Sequence, residues 1–426
     1  MRFILFMVLI AASLPVSVLS QPHCLSQDLL NGQLSQNEGV VENRTRIDAF
    51  TRQWIEAVGQ TEMEGTARQV AIIPVVVHVV WRTGAENISE DQIVSQIDAL
   101  NRDFRKLNAD SENVVYPPFR DARADVEIEF RLATVDPFGN PTTGITRTQT
   151  SLPEIAFLRI AGKRAICYDD LGGHDVWCSN HYLNIWVGAF PSGIAGEASF
   201  PGQDIPEEDG VRIAPGRFGT TGTAASAPYH LGRTATHEIG HYFNLYHLWG
   251  NSGNANPDCL FDDEVSDTPR QAGNYQNLCP SFSPPWQSSC VTLMPDMFCN
   301  YMNYTDDACM VMFTQGQKMR MGAAIAGPRA SLLSQEGDCL PVSASTTHEQ
   351  TERIRLMPNP ADQFVAIEGL NNHSSIRCYD MNGILWPVYQ ELEGKVRVGH
   401  LPPGSYVLQI KNEVNMITKM LIIARL

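Results

Sequence analysis

The pattern of apolar and polar positions changes character three times along the chain. Residues 21–68 are polar, with few aromatics and no long apolar strand, and read as a pro-segment instead of a domain. From Val70 the texture shifts. Ala71-Ile72-Ile73-Pro74-Val75-Val76-Val77-His78-Val79-Val80-Trp81 is a β-branched run of the kind buried on both faces of a sheet. Ser89 then caps a helix whose first turn carries Glu90 and Asp91, which suit the positive end of the helix dipole. Ile93, Ile97, Leu100, Phe104 and Leu107 recur at helical spacing as its apolar stripe. Val126, Ile128, Phe130 and Leu132 alternate up to Val135, predicting a half-exposed strand, and Tyr182 to Phe190 predicts another. Strand, helix, strand, strand and a further helix near residue 237 predict an α/β (α+β) lobe on a twisted mixed sheet, spanning 69–340. After Cys339 comes a polar linker without periodicity (341–352). Short alternating strands separated by turn residues then predict a small all-β sandwich over 353–426.

The helix near residue 237 carries chemistry. His237-Glu238-Ile239-Gly240-His241-Tyr242-Phe243-Asn244-Leu245-Tyr246-His247 reads H-E-x-x-H-x-x-N-x-x-H. His237 and His241 leave one face of a helix a turn apart and can grip one metal ion. Glu238, beside the first ligand, can take a proton from metal-activated water. His247 can reach the same metal only if the helix ends between them. Asn244 stands where that end must fall, and Asn tolerates left-handed backbone better than other residues with a side chain. Three protein ligands leave a fourth zinc position open, the mark of a catalytic site.

Composition narrows the setting. Met1 to Ala12 is a short basic start followed by an apolar run, and Val18-Leu19-Ser20 supplies small residues for cleavage before Gln21, so 1–20 is expected to be a signal peptide. No later stretch reaches ~18 apolar residues, so no transmembrane segment is expected. The net charge of −16 argues against a nucleic-acid partner. Ten cysteines in an exported chain favour disulfides, and none forms a C-x-x-C pair of the kind that builds structural zinc clusters. Cys167 and Cys178 flank a short polar loop and are expected to close it.

The histidine motif resembles that of the metzincin metalloproteases, with Asn244 in place of their usual Gly. Cys299-Asn300-Tyr301-Met302-Asn303-Tyr304-Thr305-Asp306-Asp307-Ala308-Cys309, followed by Phe313-Thr314-Gln315-Gly316-Gln317, is similar to the pappalysin branch of that group. The resemblance implies a metzincin lobe with a zinc-dependent endopeptidase activity on proteins or peptides. It implies that Met302 is the Met-turn residue under the metal and that Tyr304 supports the tetrahedral intermediate. It also implies crossed disulfides, Cys259–Cys290 and Cys279–Cys309, leaving Cys24, Cys299, Cys339 and Cys378 unassigned. Asp262-Asp263-Glu264-Val265-Ser266-Asp267-Thr268-Pro269 matches a run that binds calcium in that branch, with Asp263, Asp267 and Thr268 as expected contributors. Gly193 to Gly202 corresponds to an edge strand above the cleft that could pair with an extended peptide, although two Gly and a Pro also suit a loop. Asp306 and Asp307 follow the Met-turn, where carboxylates would favour Arg or Lys after the scissile bond. Cys24 is an expected latency switch that caps the zinc until a cut near Arg68; a disulfide is the alternative, since the usual flanking Arg and Gly are absent.

The C-terminal pieces have their own likeness. Met357-Pro358-Asn359-Pro360-Ala361, then Leu401-Pro402-Pro403-Gly404-Ser405-Tyr406-Val407-Leu408-Gln409-Ile410, then the terminal Lys419 to Ala424, resemble the sorting domain of the Bacteroidetes type IX secretion system. That likeness implies the type IX machinery as a partner and a secreted or cell-surface product. A second reading of the whole chain is a catalytically silent surface adhesin on the same fold. Such a protein would be expected to lack Glu238 or a ligand, and all are present.

Overall fold

The computed structural model describes residues 23–61, 70–114, 116–250, 259–275, 279–280, 287–291, 294–333, 355–359, 361–368, 375–380, 385–386, 388–390, 395–411 and 416–424. The signal peptide, Arg68, Cys339 and the linker of the sequence reading lie outside them. The chain divides into two compact units, Met1–Cys339 and Leu340–Leu426.

The first unit opens with strand β1 (His23–Cys24) and helices α1 (Ser26–Leu34) and α2 (Glu38–Thr61). Strand β2 (Ala71–Trp81) follows, buried along almost its whole length as its β-branched run requires. Ser89 Oγ caps α3 (Glu90–Phe104) by accepting from Gln92 N, and Ile93, Ile97, Leu100 and Phe104 are buried. Leu107 corrects the expected stripe: the helix has ended by then, and the side chain is 70% exposed. A short helix α4 (Pro117–Ala122) leads to strand β3 (Ile128–Leu132). It starts later than the alternation suggested because Glu127 holds φ at +61°, outside the range of a strand. Strands β4 (Ile145–Gln149), β5 (Arg159–Ile160), β6 (Lys163–Arg164), β7 (Leu183–Val187), β8 (Ile194–Ala198) and β9 (Val211–Ile213) come next. Helices α5 (Arg233–Tyr242) and α6 (Gln315–Ala326) complete the elements that frame the site.

One seven-stranded sheet runs β1-β8-β9-β7-β2-β3, with β4 continuing beside β2 beyond β3. It is mixed: β8 and β9 are antiparallel, while the other pairs are parallel. The apolar faces of β2, β3 and β7 pack with α3, α5 and the 297–313 segment into a single core. The segment 193–202 therefore contains a true strand, with Pro201 and Gly202 falling past its end. β8 lies one place in from the sheet edge because β1 adds outside it.

Cys259 is bonded to Cys290, and Cys279 to Cys309. The expected Cys167–Cys178 bond is absent. Cys167 is a buried free thiol packed with Ile155, Ile166 and Trp186, whereas Cys178 sits in a different cluster beside Trp177 and Tyr182 and is disulfide-bonded elsewhere. Backbone bonds turn the intervening loop back on itself, Gly173 N to Tyr168 O and His174 N to Ile166 O, so it needs no covalent closure.

The second unit holds strands β10 (Arg355–Met357), β11 (Phe364–Glu368), β12 (Ser375–Asp380), β13 (Leu385–Trp386), β14 (Tyr389–Gln390), β15 (Lys395–Arg397), β16 (Gly404–Lys411) and β17 (Met416–Ile423). They form two four-stranded antiparallel sheets, β10-β11-β15-β14 and β13-β12-β16-β17. Val365, Val396, Leu408 and Leu421 fill the core. No described helix is long and apolar enough to cross a membrane.

Candidate metal centre

Helix α5 is built to present three side chains. Just ahead of its Gly232 cap, Asp307 Oδ2 accepts from the backbone N–H of Leu231 at 2.7 Å and so anchors the approach to the helix. At its end Asn244 takes φ +76°, the left-handed turn that lets the chain double back. That turn is what brings His247 to the same point in space as His237 and His241. The three Nε2 atoms lie 3.1–3.2 Å from one another. His237 Nδ1 bonds Tyr301 O and His241 Nδ1 bonds Leu245 O, both at 2.7 Å. Since a carbonyl only accepts, Nδ1 of each ring carries the hydrogen, and the Nε2 lone pairs point inward at one another. Burial lowers all three pKa values, His237 to about 4, so the rings stay neutral. Lone pairs facing at this distance repel unless a cation lies among them, and the residues therefore fit a metal ion.

The surrounding side chains fix this geometry. Arg233 of α5 pairs with Asp103 of α3 and donates to Tyr301 Oη at 2.7 Å, and Thr236 Oγ1 donates to Asp103 Oδ2 at 2.6 Å. Tyr301 is the residue whose carbonyl orients His237. Met302 follows it, fully buried beneath the helix: a Cβ added at Gly240 would stand 2.5 Å from Met302 Sδ. A side chain at that position would force the Met302 thioether to shift. The ring of His247 stacks on Trp249 at 4.5 Å, and Tyr304 Oη reaches His247 Nε2 at 3.1 Å.

The N-terminal segment enters the same space. Among the described residues, one cluster of His, Cys, Asp and Glu ligand atoms is close enough to share an ion: Cys24, His237, His241 and His247. Cys24 is not in a disulfide, and its Sγ lies 3.2 Å from Glu238 Oε2. Ser26 Oγ donates to the same carboxylate oxygen at 2.7 Å and accepts from Ala198 N at 2.7 Å. Leu25 N donates to Gly196 O, so the outer hydrogen-bonding groups of β8 are occupied. Gln27 Oε1 accepts from the His247 backbone N–H at 3.1 Å. Burial, partly offset by the Ser26 and Cys24 hydrogen bonds, pushes Glu238 up to about 7. Ser26 and Gln27 escaped the sequence reading. Their partners Glu238 and His247 lie more than 200 residues away, and no local pattern marks them.

The acidic candidates are dispersed. Asp307 lines a recess beside Glu238 and His237, together with Tyr229, Thr234 and Met310. Its Oδ1 is buried with no hydrogen-bond partner, and burial pushes its pKa up to about 6. Asp306 lies half-buried outside that recess. Thr268 Oγ1 bonds Asp263 Oδ1 at 2.6 Å, while Asp263 Oδ2 is buried without a partner. Asp267 instead accepts from Thr314 Oγ1 and Gly316 N at the start of α6.

Residues 167–326 match the family described as Pregnancy-associated plasma protein-A, and residues 355–424 match the secretion system C-terminal sorting domain. A Tannerella forsythia promirolysin variant shares 37% identity at a TM-score of 0.63, over 73% of this chain and 96% of its own. Mature mirolysin from that organism, in complex with a cleaved peptide, shares 42% identity at a TM-score of 0.57, over 63% and 97%. An extracellular metalloprotease of Verticillium alfalfae is 33% identical over 60% of this chain and 76% of its own length.

Proposed function

The chain belongs to the Pregnancy-associated plasma protein-A (pappalysin) family of secreted metalloproteases and ends in a type IX sorting domain, and from that premise we propose a latent zinc endopeptidase with Glu238 as its general base. The observation that carries this reading is the convergence of three inward-facing Nε2 atoms beside one carboxyl group and one phenol. His237, His241 and His247 would hold the metal. Zinc, when bound, supplies a Lewis acid that acidifies water and polarises the scissile carbonyl. Glu238 takes the proton of the attacking water and hands it to the leaving amine. Tyr304 donates its hydroxyl to the developing oxyanion. Met302 and Gly240 keep the floor of the site at a fixed depth.

Latency follows from the same contacts. Cys24 stands in the position water needs, Ser26 occupies the general base, and β1 covers the strand edge that an extended substrate would use. Removal of residues 21–68 by a cut near Arg68 opens all three. Asp307 supports a preference for Arg or Lys after the scissile bond, because it lines a recess beside the metal ligands and one of its buried oxygens has no hydrogen-bond partner. Calcium would be held at Asp263, whose bare buried oxygen is costly without a cation; Thr268 orients that carboxylate and Asp267 caps the neighbouring helix. Hydrolysis of casein or gelatin by the processed protein, with and without a chelator, tests the reading. Metal-dependent cleavage is expected. Its absence from zinc-loaded, processed protein would leave the surface-binding reading in its place.

A further inference from the structure

Outside the catalytic machinery, Arg44 of α2 is held in a site built largely by the protease lobe. Its guanidinium carbon stands 5.7 Å from the ring centres of both Phe200 and Tyr246. Nη2 donates to Asn244 Oδ1 and to Tyr246 Oη, both at 2.8 Å, and Nη1 donates to Pro201 O at 3.4 Å. The side chain is buried, which is rare for arginine without dedicated partners. Of its partners only Asp48 comes from α2 itself. The aromatic walls and the three other acceptors belong to the protease lobe and remain when the N-terminal segment is cut away.

The emptied site presents two aromatic faces and three oxygen acceptors, a lining that suits a cation. Arg320 is a cation of the lobe beside it, stacked 4.7 Å over Tyr246, and its charge is met by Glu264 at 3.1 Å. A cavity of about 370 Å³ adjoins Arg44 and Tyr246, and its lobe-side lining includes Asp262 and Glu264, paired with Arg270 and Arg320. Position fits a substrate as well. Phe200 and Pro201 lie two and three residues past the end of β8, and the Phe200 ring lies 5.1 Å from that of His241. β1 runs parallel to β8 and leads past its end into α1 and α2. A peptide paired antiparallel to β8 runs the other way, so residues upstream of its scissile bond pass Phe200 and Asn244.

We propose that Phe200, Tyr246, Asn244 Oδ1 and the Pro201 carbonyl form a guanidinium subsite on the upstream side of the cleft, filled by Arg44 in the latent chain and by a substrate arginine after maturation. The inference rests on the endopeptidase reading above. A flat guanidinium stacks on two rings and donates to several acceptors at once, which the compact ammonium of lysine does less well.

The test is a positional series of peptides cleaved by the processed enzyme, each with Arg, Lys or norleucine at one place upstream of the cut. At one position Arg should exceed norleucine roughly tenfold in kcat/KM, with Lys between them. Tyr246→Phe removes one acceptor and keeps the ring; Asn244→Gly removes another and keeps the left-handed turn. Each should bring the Arg-to-norleucine ratio several-fold closer to one, a readout that corrects itself for any change in overall rate. Cleavage with no upstream preference for Arg overturns the subsite alone, as does a preference that survives both variants. Failure to cleave any peptide of the series overturns the endopeptidase reading, and the subsite with it.

Discussion

Replacing Asn244 with Ala isolates the backbone device on which the third ligand depends. Asn244 holds φ at +76° between Tyr242, where α5 ends, and His247. A left-handed conformation costs an ordinary L-residue roughly 1–2 kcal/mol; Gly pays nothing and Asn recovers part of it. In the processed enzyme the contacts of Asn244 with Arg44 and Thr51 have gone with α2, so the strain stands almost alone. The turn then relaxes in favour of geometries that withdraw His247. A penalty of about 1–2 kcal/mol corresponds to a roughly 5–30-fold loss in metal affinity. Competition with a chromogenic chelator measures it. The Ala variant should bind zinc weakly by that factor, and Asn244→Gly should stay within about threefold of wild type. Equal affinity in all three proteins would refute the role of the turn. A Gly variant as weak as the Ala variant would shift the cause from backbone strain to the lost side chain.

Cys24→Ala should yield an unprocessed chain that already cleaves peptide, or one that matures faster. A variant as latent as wild type, with wild-type Cys24 found in a disulfide by mass spectrometry, would contradict the switch. Gly240→Ala places a methyl 2.5 Å from Met302 Sδ and should cost about 1–3 kcal/mol, seen as a lower Tm that Met302→Ala partly restores. Burial raises Asp263 to about 8, so the folded chain favours its protonated form. Without a cation, the stability linked to this group is full below about pH 4 and is lost as pH rises towards 8. Calcium favours the ionised form, so its effect on Tm should be larger at pH 8 than at pH 5. Asp263→Asn should abolish that difference in thermal scans.

The parts of this fold legible in the sequence were those set by local periodicity. The β-branched run of β2 and the capped stripe of α3 follow from residue pattern alone. So does the triple-histidine turn, where spacing and one Asn define the geometry. The N-terminal segment was legible only as polar chain. Its helix α2 docks through the polar contacts of Arg44 and Thr51 as well as through buried Val40 and Ile47, so its apolar positions are interleaved with polar ones. Ser26 and Gln27 gain meaning only from partners brought near by the tertiary fold. Spacing also misled at Cys167 and Cys178, where proximity in sequence suggested a bond that packing into separate clusters prevents. Asp267 was an expected calcium contributor by likeness of its run; in the fold its oxygens accept from Thr314 and Gly316 at the start of α6, partners that the run does not announce.

Glu238 is the residue on which the catalytic account turns. It touches Cys24 and Ser26, not a ligand nitrogen, so its role is separable from metal binding. The decisive measurement pairs zinc content with peptide hydrolysis for Glu238→Gln, processed in trans to remove the N-terminal segment. The account predicts one zinc per chain, as in wild type, and a loss of kcat/KM of at least about a thousandfold. A zinc-replete Glu238→Gln enzyme that keeps more than a few per cent of wild-type activity would contradict it.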